Sequence, residues 1–126
     1  MKAWLLRKPA PVNQRPLVLA ETSMPAPCED ELLLRVHVCG ICRTDLHVVE
    51  GELPVRRWPL VPGHQIVGRV TAVGSRVEGF AVGDRAGVAW LNRTCGACAF
   101  CLAGRENLCE RALFTGWTVD GGYAEY

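Results

Sequence analysis

Four cysteines in the last third of the chain constrain its fold more than any other feature. They follow the spacing Cys-x2-Cys-x2-Cys-x7-Cys and are Cys95, Cys98, Cys101 and Cys109. Four thiolates satisfy a tetrahedral zinc ion and leave no open position, which is the ligand set of a structural site. The segment 92–113 has few apolar residues to bury, so a metal would replace a hydrophobic core there. The spacing therefore predicts a zinc-binding lobe over residues 92–113.

Two other interpretations are compatible with these cysteines. The thiols could be independent and buried, or the first three could open an iron–sulfur motif of the bacterial ferredoxin type. That motif expects a fourth cysteine three residues after the third, followed by proline. Here the gap is seven residues, and Glu110 follows Cys109. Structural zinc is the better match.

The composition is that of an ordinary globular domain. Of the 126 residues, 49% are hydrophobic and 21% are charged, and the formal net charge is +1. That balance provides no basic surface for nucleic acid or an anionic membrane, and no stretch approaches the roughly 18 apolar residues of a membrane span. The N-terminus lacks a signal-peptide core, so we expect a cytoplasmic chain. Seven cysteines in a reducing compartment indicate metal binding or reactivity rather than disulfides.

Short strands separated by glycine and proline turns are predicted along most of the chain. The predicted strands cover residues 2–7, 17–21, 31–39, 64–73 and 84–91. Residues 42–50 lack the alternation of a strand and predict a short helix that ends at Gly51. This pattern is typical of a mainly β, barrel-like domain.

A second group of metal-binding residue types lies over residues 39–47 and at His64. Cys39-x2-Cys42 alone is compatible with a redox pair, half of a second zinc site or two unremarkable thiols. His64 follows a Pro-Gly turn and by itself is compatible with a structural histidine. The combination is more specific, because a catalytic zinc with an open position uses a thiolate, an imidazole and a nearby hydroxyl such as that of Thr44.

With these motifs, the chain resembles the N-terminal part of the zinc-dependent, medium-chain alcohol dehydrogenases. The matching stretches keep the family's order and are residues 40–47 (Gly-Ile-Cys-Arg-Thr-Asp-Leu-His), 62–64, 82–85, 95–109 and 121–126. The resemblance implies a GroES-like partial β-barrel over residues 1–126, with a zinc-binding lobe and short helices. In the family a nicotinamide-binding Rossmann domain follows. We expect that domain to be absent from this chain, since none of its 13 glycines forms a Gly-x-Gly-x-x-Gly turn.

The resemblance also implies residue roles. Cys42 and His64 would bind the catalytic zinc. Thr44 would hydrogen-bond the substrate alcohol, and His47 would pass its proton toward solvent. The other implied roles are Asp45 orienting the zinc-bound histidine, Arg43 at the cofactor pyrophosphate, Trp90 and Leu53 at the substrate pocket, and Gln65 beside the metal.

Plainer roles are open for several of these residues. Thr44 or Asp45 could cap the short helix, His47 and Arg43 could be surface residues, and Trp90 could be core.

The chain departs from the family's pattern in two respects. Gln65 stands where the family normally has Glu, and the family's third catalytic zinc ligand lies beyond position 126.

The sequence thus predicts part of an NAD(P)-dependent zinc alcohol dehydrogenase acting on small alcohols and their aldehydes or ketones. The cofactors would be zinc and either NAD or NADP, and the parent protein would be a homo-oligomer. The 126-residue chain alone would be inactive. The alternative is a stand-alone, non-enzymatic structural zinc-binding domain, and a third possibility is a small iron–sulfur electron carrier.

Overall fold

The computed structural model describes residues 1–54 and 57–126. In that part of the chain the strands are β1 (Lys2–Leu6), β2 (Leu17–Glu21), β3 (Leu32–Gly40), β4 (Gln65–Val73), β5 (Arg85–Val88), β6 (Leu91–Arg93) and β7 (Leu113–Phe114). The α-helices are α1 (Arg43–Glu50) and α2 (Ala99–Leu102), and single turns of 3-10 helix cover Val12–Gln14 and Glu106–Leu108. The predicted mainly β domain with short helices is confirmed.

The strands form three separate antiparallel sheets, β1–β2, β3–β4–β5 and β6–β7. Because these sheets do not close on one another, the architecture is the partial barrel that the resemblance implied. Isolated bridges connect them to neighbouring segments, with Leu6 opposite Leu60 and Ala3 opposite Ala124. The long β3–β4 pair places Gly40 beside Gln65, so the segments that follow β3 and precede β4 lie next to each other.

A small apolar core anchors α1 to this framework. The helix contributes Val48 and Val49, which pack against Leu6 of β1 and Leu60. The helix ends where Gly51 adopts a left-handed conformation with φ of +84°, the backbone state for which glycine has no steric penalty. Packing of the C-terminal half of α1 against the core therefore also fixes the position of the first turn of the helix.

Three stretches differ from the sequence-based expectation. The single strand predicted over 84–91 is two strands, β5 and β6, interrupted at Ala89 and Trp90. The alternation expected in β3 is broken by a β-bulge between Val36 and Val38, which leaves Val38 exposed. The segment 92–113, which has little periodicity, contains α2 and a 3-10 turn, because backbone turn hydrogen bonds and thiol contacts organise it rather than an apolar face.

None of the helices in residues 1–54 and 57–126 has the length and apolar character needed to cross a membrane.

A close backbone approach near the C-terminal end gives a test of the fold. A Cβ at Gly121 would lie 1.9 Å from the carbonyl oxygen of Gly63, and the Gly121 N–H donates to Val61 O at 2.7 Å. We expect Gly121→Ala to lower the free energy of unfolding by about 2–3 kcal/mol, because backbone atoms on both sides must shift. Gly87→Ala is the matched control, since its Cβ would meet nothing closer than 3.5 Å. Equal melting temperatures for the two variants would contradict this packing.

Candidate metal centres

The first candidate centre begins at the N-terminus of α1. Cys42 occupies the cap position, and its backbone N–H donates to Oδ2 of Asp45 at 2.7 Å. The Asp45 side chain is 4% exposed. The carboxylate thus satisfies a backbone donor that the helix itself leaves free. Asp45 does cap the helix, as the plainer interpretation proposed, whereas Thr44 lies inside the first turn and is not the cap.

His64 joins Asp45 and Cys42 in one buried cluster. Nδ1 of His64 lies 3.2 Å from Oδ1 of Asp45, and Nε2 lies 3.3 Å from Sγ of Cys42. A carboxylate beside Nδ1 favours the tautomer with the proton on that nitrogen, which leaves the Nε2 lone pair facing the thiol. Asp45 therefore holds the cap with one oxygen and orients the imidazole with the other.

This donor set fits a zinc ion. A tetrahedral zinc bound by a thiolate and an imidazole would place sulfur and nitrogen about 3.6 Å apart, close to the observed separation of Cys42 and His64. Ligand atoms of Cys42, Asp45 and His64 all lie within 4.8 Å of one another. Since both Asp45 oxygens are engaged by neighbours, Cys42 and His64 are the side chains free to be ligands, with the carboxylate in a supporting contact.

A cleft of about 730 Å³ opens beside this cluster. Its lining includes four residues that the sequence singled out, Thr44, His64, Gln65 and Trp90. Gln65 is exposed at the start of β4. The structure thereby brings Thr44, His64 and Trp90 together around one cleft.

Three further residues from the sequence analysis, His47, Arg43 and Leu53, lie outside both the Cys42–His64–Asp45 cluster and the lining of the cleft. His47 is one turn further along α1, where Nδ1 hydrogen-bonds the Glu52 carboxylate and the side chain is 32% exposed. Arg43 is exposed at the first position of α1. Leu53 packs against the core that contains Leu6 and Val48.

An aromatic group backs the cleft, and sequence reasoning named only one of its members. Trp90 meets His64 in an edge-on arrangement with ring centroids 4.9 Å apart. Phe114 and Trp117 pack on Trp90 with centroid distances of 5.1 and 5.8 Å. Nothing in the local sequence marks Phe114 or Trp117, because the contacts that make them part of the site come from a distant segment.

The second candidate centre is the predicted cysteine lobe. Sγ of Cys101 lies 3.5 Å from that of Cys98 and 3.9 Å from that of Cys95. Thiolates around a tetrahedral zinc lie about 3.8 Å apart. The four sulfur atoms, of Cys95, Cys98, Cys101 and Cys109, lie within 4.8 Å of one another. The structure therefore brings together the thiols needed for a four-coordinate site.

Three thiols of the lobe have shifted pKa values, and a hydrogen bond from the backbone N–H of Cys101 lowers that of Cys98. Hydrogen bonds from the backbone N–H groups of Ala97 and Cys98 lower the pKa of Cys95 to about 6, since such donors favour the thiolate. Burial raises the pKa of Cys101 to about 11, and its residue is 9% exposed. N–H donors directed at sulfur are a feature of a site built for thiolate ligands.

Comparison with known proteins identifies the family. The model of the alcohol dehydrogenase GroES-like domain matches residues 28–126. The chain belongs to this family. The resemblance carried by the sequence motifs is thus confirmed.

Several proteins that contain such a domain are similar to this chain in sequence or in structure. The chain is 52% identical to probable alcohol dehydrogenase AdhA of Mycobacterium tuberculosis, over 100% of this chain and 38% of that protein. A cobalt- and zinc-bound thermostable alcohol dehydrogenase from Pyrobaculum aerophilum superposes with a TM-score of 0.89 at 33% identity, covering 99% of this chain and 37% of the other. A candidate zinc-binding dehydrogenase of Sinorhizobium meliloti 1021 bound to NADP superposes with a TM-score of 0.85 at 37% identity, and the match covers 99% of this chain and 34% of the other. The chain spans little more than a third of these proteins.

Metal content distinguishes the two centres of this GroES-like domain. We expect about one tightly bound zinc per chain, held by the four-cysteine lobe, because all four ligands come from this segment. A second zinc at Cys42 and His64 should be substoichiometric and easily removed, since only two side chains ligate it. Elemental analysis after extended dialysis measures both. Iron with visible absorbance, or a folded sample without metal, would contradict the assignment.

Proposed function

We propose that this domain is the zinc-binding catalytic part of an NAD(P)-dependent alcohol dehydrogenase that oxidises small alcohols to aldehydes or ketones. The observation that carries the proposal is the cluster of half-buried Cys42 with buried His64 and Asp45, beside the cleft that Thr44 and Trp90 line. A domain with a purely structural role needs the four-cysteine lobe but has no use for a second, incomplete ligand set that opens on a cleft.

Cys42 and Nε2 of His64 would hold the catalytic zinc. When bound, zinc supplies Lewis-acid chemistry that makes an alcohol hydroxyl more acidic, so that the substrate can give up hydride to the nicotinamide. Asp45 keeps His64 in the tautomer whose Nε2 is a ligand, and it fixes the ring orientation. Gln65 would place a neutral amide beside the centre.

The proton of the alcohol needs a path to solvent. Thr44 lines the cleft, and its hydroxyl would accept that proton while donating its own. His47 lies one turn further along the same helix and is hydrogen-bonded to Glu52 at the surface. This pair would receive the proton and release it to water. Arg43, exposed at the helix start, would meet the cofactor pyrophosphate.

The remaining parts of the proposal concern the parent protein. Apart from the Arg43 contact, NAD or NADP would be bound by residues other than those of this chain, which contains no Gly-x-Gly-x-x-Gly turn. A near-neutral charge supports small-molecule substrates rather than nucleic acid or an anionic membrane surface. Unpaired cysteines support a cytoplasmic location. We also expect the parent to be a homo-oligomer.

Kinetic assays test the proposal. A parent protein that contains this chain should oxidise short alcohols with NAD or NADP, and a chelator should abolish turnover. The 126-residue chain alone should show no turnover, because orientation of the hydride acceptor provides much of the rate. Zinc-independent turnover by the parent, or measurable turnover by the short chain with contaminants excluded, would contradict it.

A further inference from the structure

Trp117 lies outside the cleft but contacts the residue that forms its wall. Among the described residues, Trp90 lines the cleft and Trp117 does not. The two indoles are stacked, with centroids 5.8 Å apart and planes 5° from parallel. On the other side, Trp90 meets the His64 ring at an interplanar angle of 73°. Trp117, Trp90 and His64 thus form a continuous row of rings that ends at the candidate zinc ligand.

The Trp117 end of this row is fixed by the fold. The indole Nε1–H donates to Pro54 O at 3.3 Å. Its ring packs against the buried core of Leu6, Val48, Val49 and Leu60. Phe114 packs on it as well, at a centroid distance of 5.4 Å. Because the Trp117 indole has both a hydrogen bond at Nε1 and apolar side chains against its ring, one orientation of the ring is favoured.

The backbone of Trp90 is also fixed, but its side chain is not fixed in the same way. Thr115, which is buried, donates from its N–H to Trp90 O at 2.9 Å and from its hydroxyl to Ala89 O at 2.8 Å. These bonds place the Trp90 Cα at the edge of the cleft. The orientation of the indole about its side-chain torsions then depends on the rings it packs against.

We propose that Trp117 is a positioning residue that sets the substrate range of the site by holding Trp90 edge-on to His64. The inference rests on the proposed function. With Trp90 held, the cleft is lined by its indole together with the apolar side chains of Val67, Val88 and Ala89. An indole fixed beside His64 would limit the room next to the candidate zinc ligand and so favour unbranched apolar alcohols. Releasing Trp90 would widen the cleft and admit branched or aromatic ones.

The first test does not depend on activity. The ring current of Trp90 should displace the resonances of the His64 ring protons, and NMR on the zinc-loaded chain measures that displacement. Trp117→Leu keeps an apolar side chain on the core but removes the stacking ring, so the His64 protons should lose most of that shift. Trp117→Phe retains a ring that can stack and should preserve it. Trp4→Leu is the control, since Trp4 lies on β1 and is half exposed.

The second test uses the parent protein. Trp117→Leu should change the ratio of kcat/KM for a branched alcohol to that for a straight-chain alcohol by about tenfold in favour of the branched one. Trp117→Phe should stay near the unmodified ratio. An equal loss for both alcohols, or an unchanged His64 shift in Trp117→Leu, would overturn the inference. If the shift is lost but the unmodified parent oxidises no alcohol, the proposed function fails while the positioning of Trp90 stands.

Discussion

Cys98→Ser is expected to abolish tight zinc binding and to unfold the lobe of residues 92–113. Cys98 supplies a sulfur atom 3.5 Å from that of Cys101, and its backbone N–H donates to Sγ of Cys95 at 3.3 Å, so the metal site depends on it. Structural zinc contributes about 10–16 kcal/mol of apparent binding free energy in small zinc-dependent domains, and much of that is folding energy. The loss of one of four ligands should therefore cost several kcal/mol of stability. Thermal denaturation combined with zinc analysis measures both effects.

The control for this prediction is Cys28→Ser. Cys28 is exposed and lies outside both candidate centres. Its substitution should leave the zinc content at about one per chain and shift the melting temperature little, as for most surface changes. Comparable melting temperatures for the two variants would remove the structural role of the lobe.

The sequence predicted those elements whose limits are set by interactions between residues close together in the chain. The helix over 42–50 is present as α1, because a capping carboxylate at its start and Gly51 at its end are both encoded within a few residues. The break between β5 and β6 was not predictable in this way. It occurs where Thr115 binds the backbone of residues 89 and 90, and such a long-range contact leaves no periodic signal near the break.

The same distinction holds for the candidate site. Cys42 and Thr44 lie within one helical turn, so their residue types and spacing, together with His64, indicated a shared role, whereas the role of Asp45 was implied by the family resemblance. Trp117 was missed, because its position in the site depends on the packing of the segment after Cys109 against Trp90. The double use of Asp45, as helix cap and as partner of His64, was also beyond the sequence, which left the two roles as alternatives.

In the parent protein, Cys42→Ala and His64→Ala are expected to lose the catalytic metal and nearly all turnover. Each removes one of only two ligands from this domain, and the low-dielectric cluster offers no substitute that could polarise the alcohol. Thr44→Ala should also be severe, because Thr44 is the residue of α1 that lines the cleft and its hydroxyl would receive the alcohol proton. Gln65→Glu is the tolerated control, since it restores the family's carboxylate beside the centre. Steady-state kinetics with parallel zinc analysis separates loss of metal from loss of the proton path.

His47→Gln should behave differently from these variants, and the difference tests whether the proton path reaches the surface pair. His47 is joined to Glu52 at the edge of the domain, so its loss leaves zinc and Thr44 in place and removes only the terminal acceptor. Water and hydroxide can replace that acceptor, and they do so more effectively as pH rises. The turnover deficit of His47→Gln should therefore shrink with increasing pH, while the zinc content stays unchanged. A pH–rate profile that keeps the shape of the unmodified enzyme and differs by a constant factor would show that the proton leaves by another route, and His47 would then be a surface residue paired with Glu52.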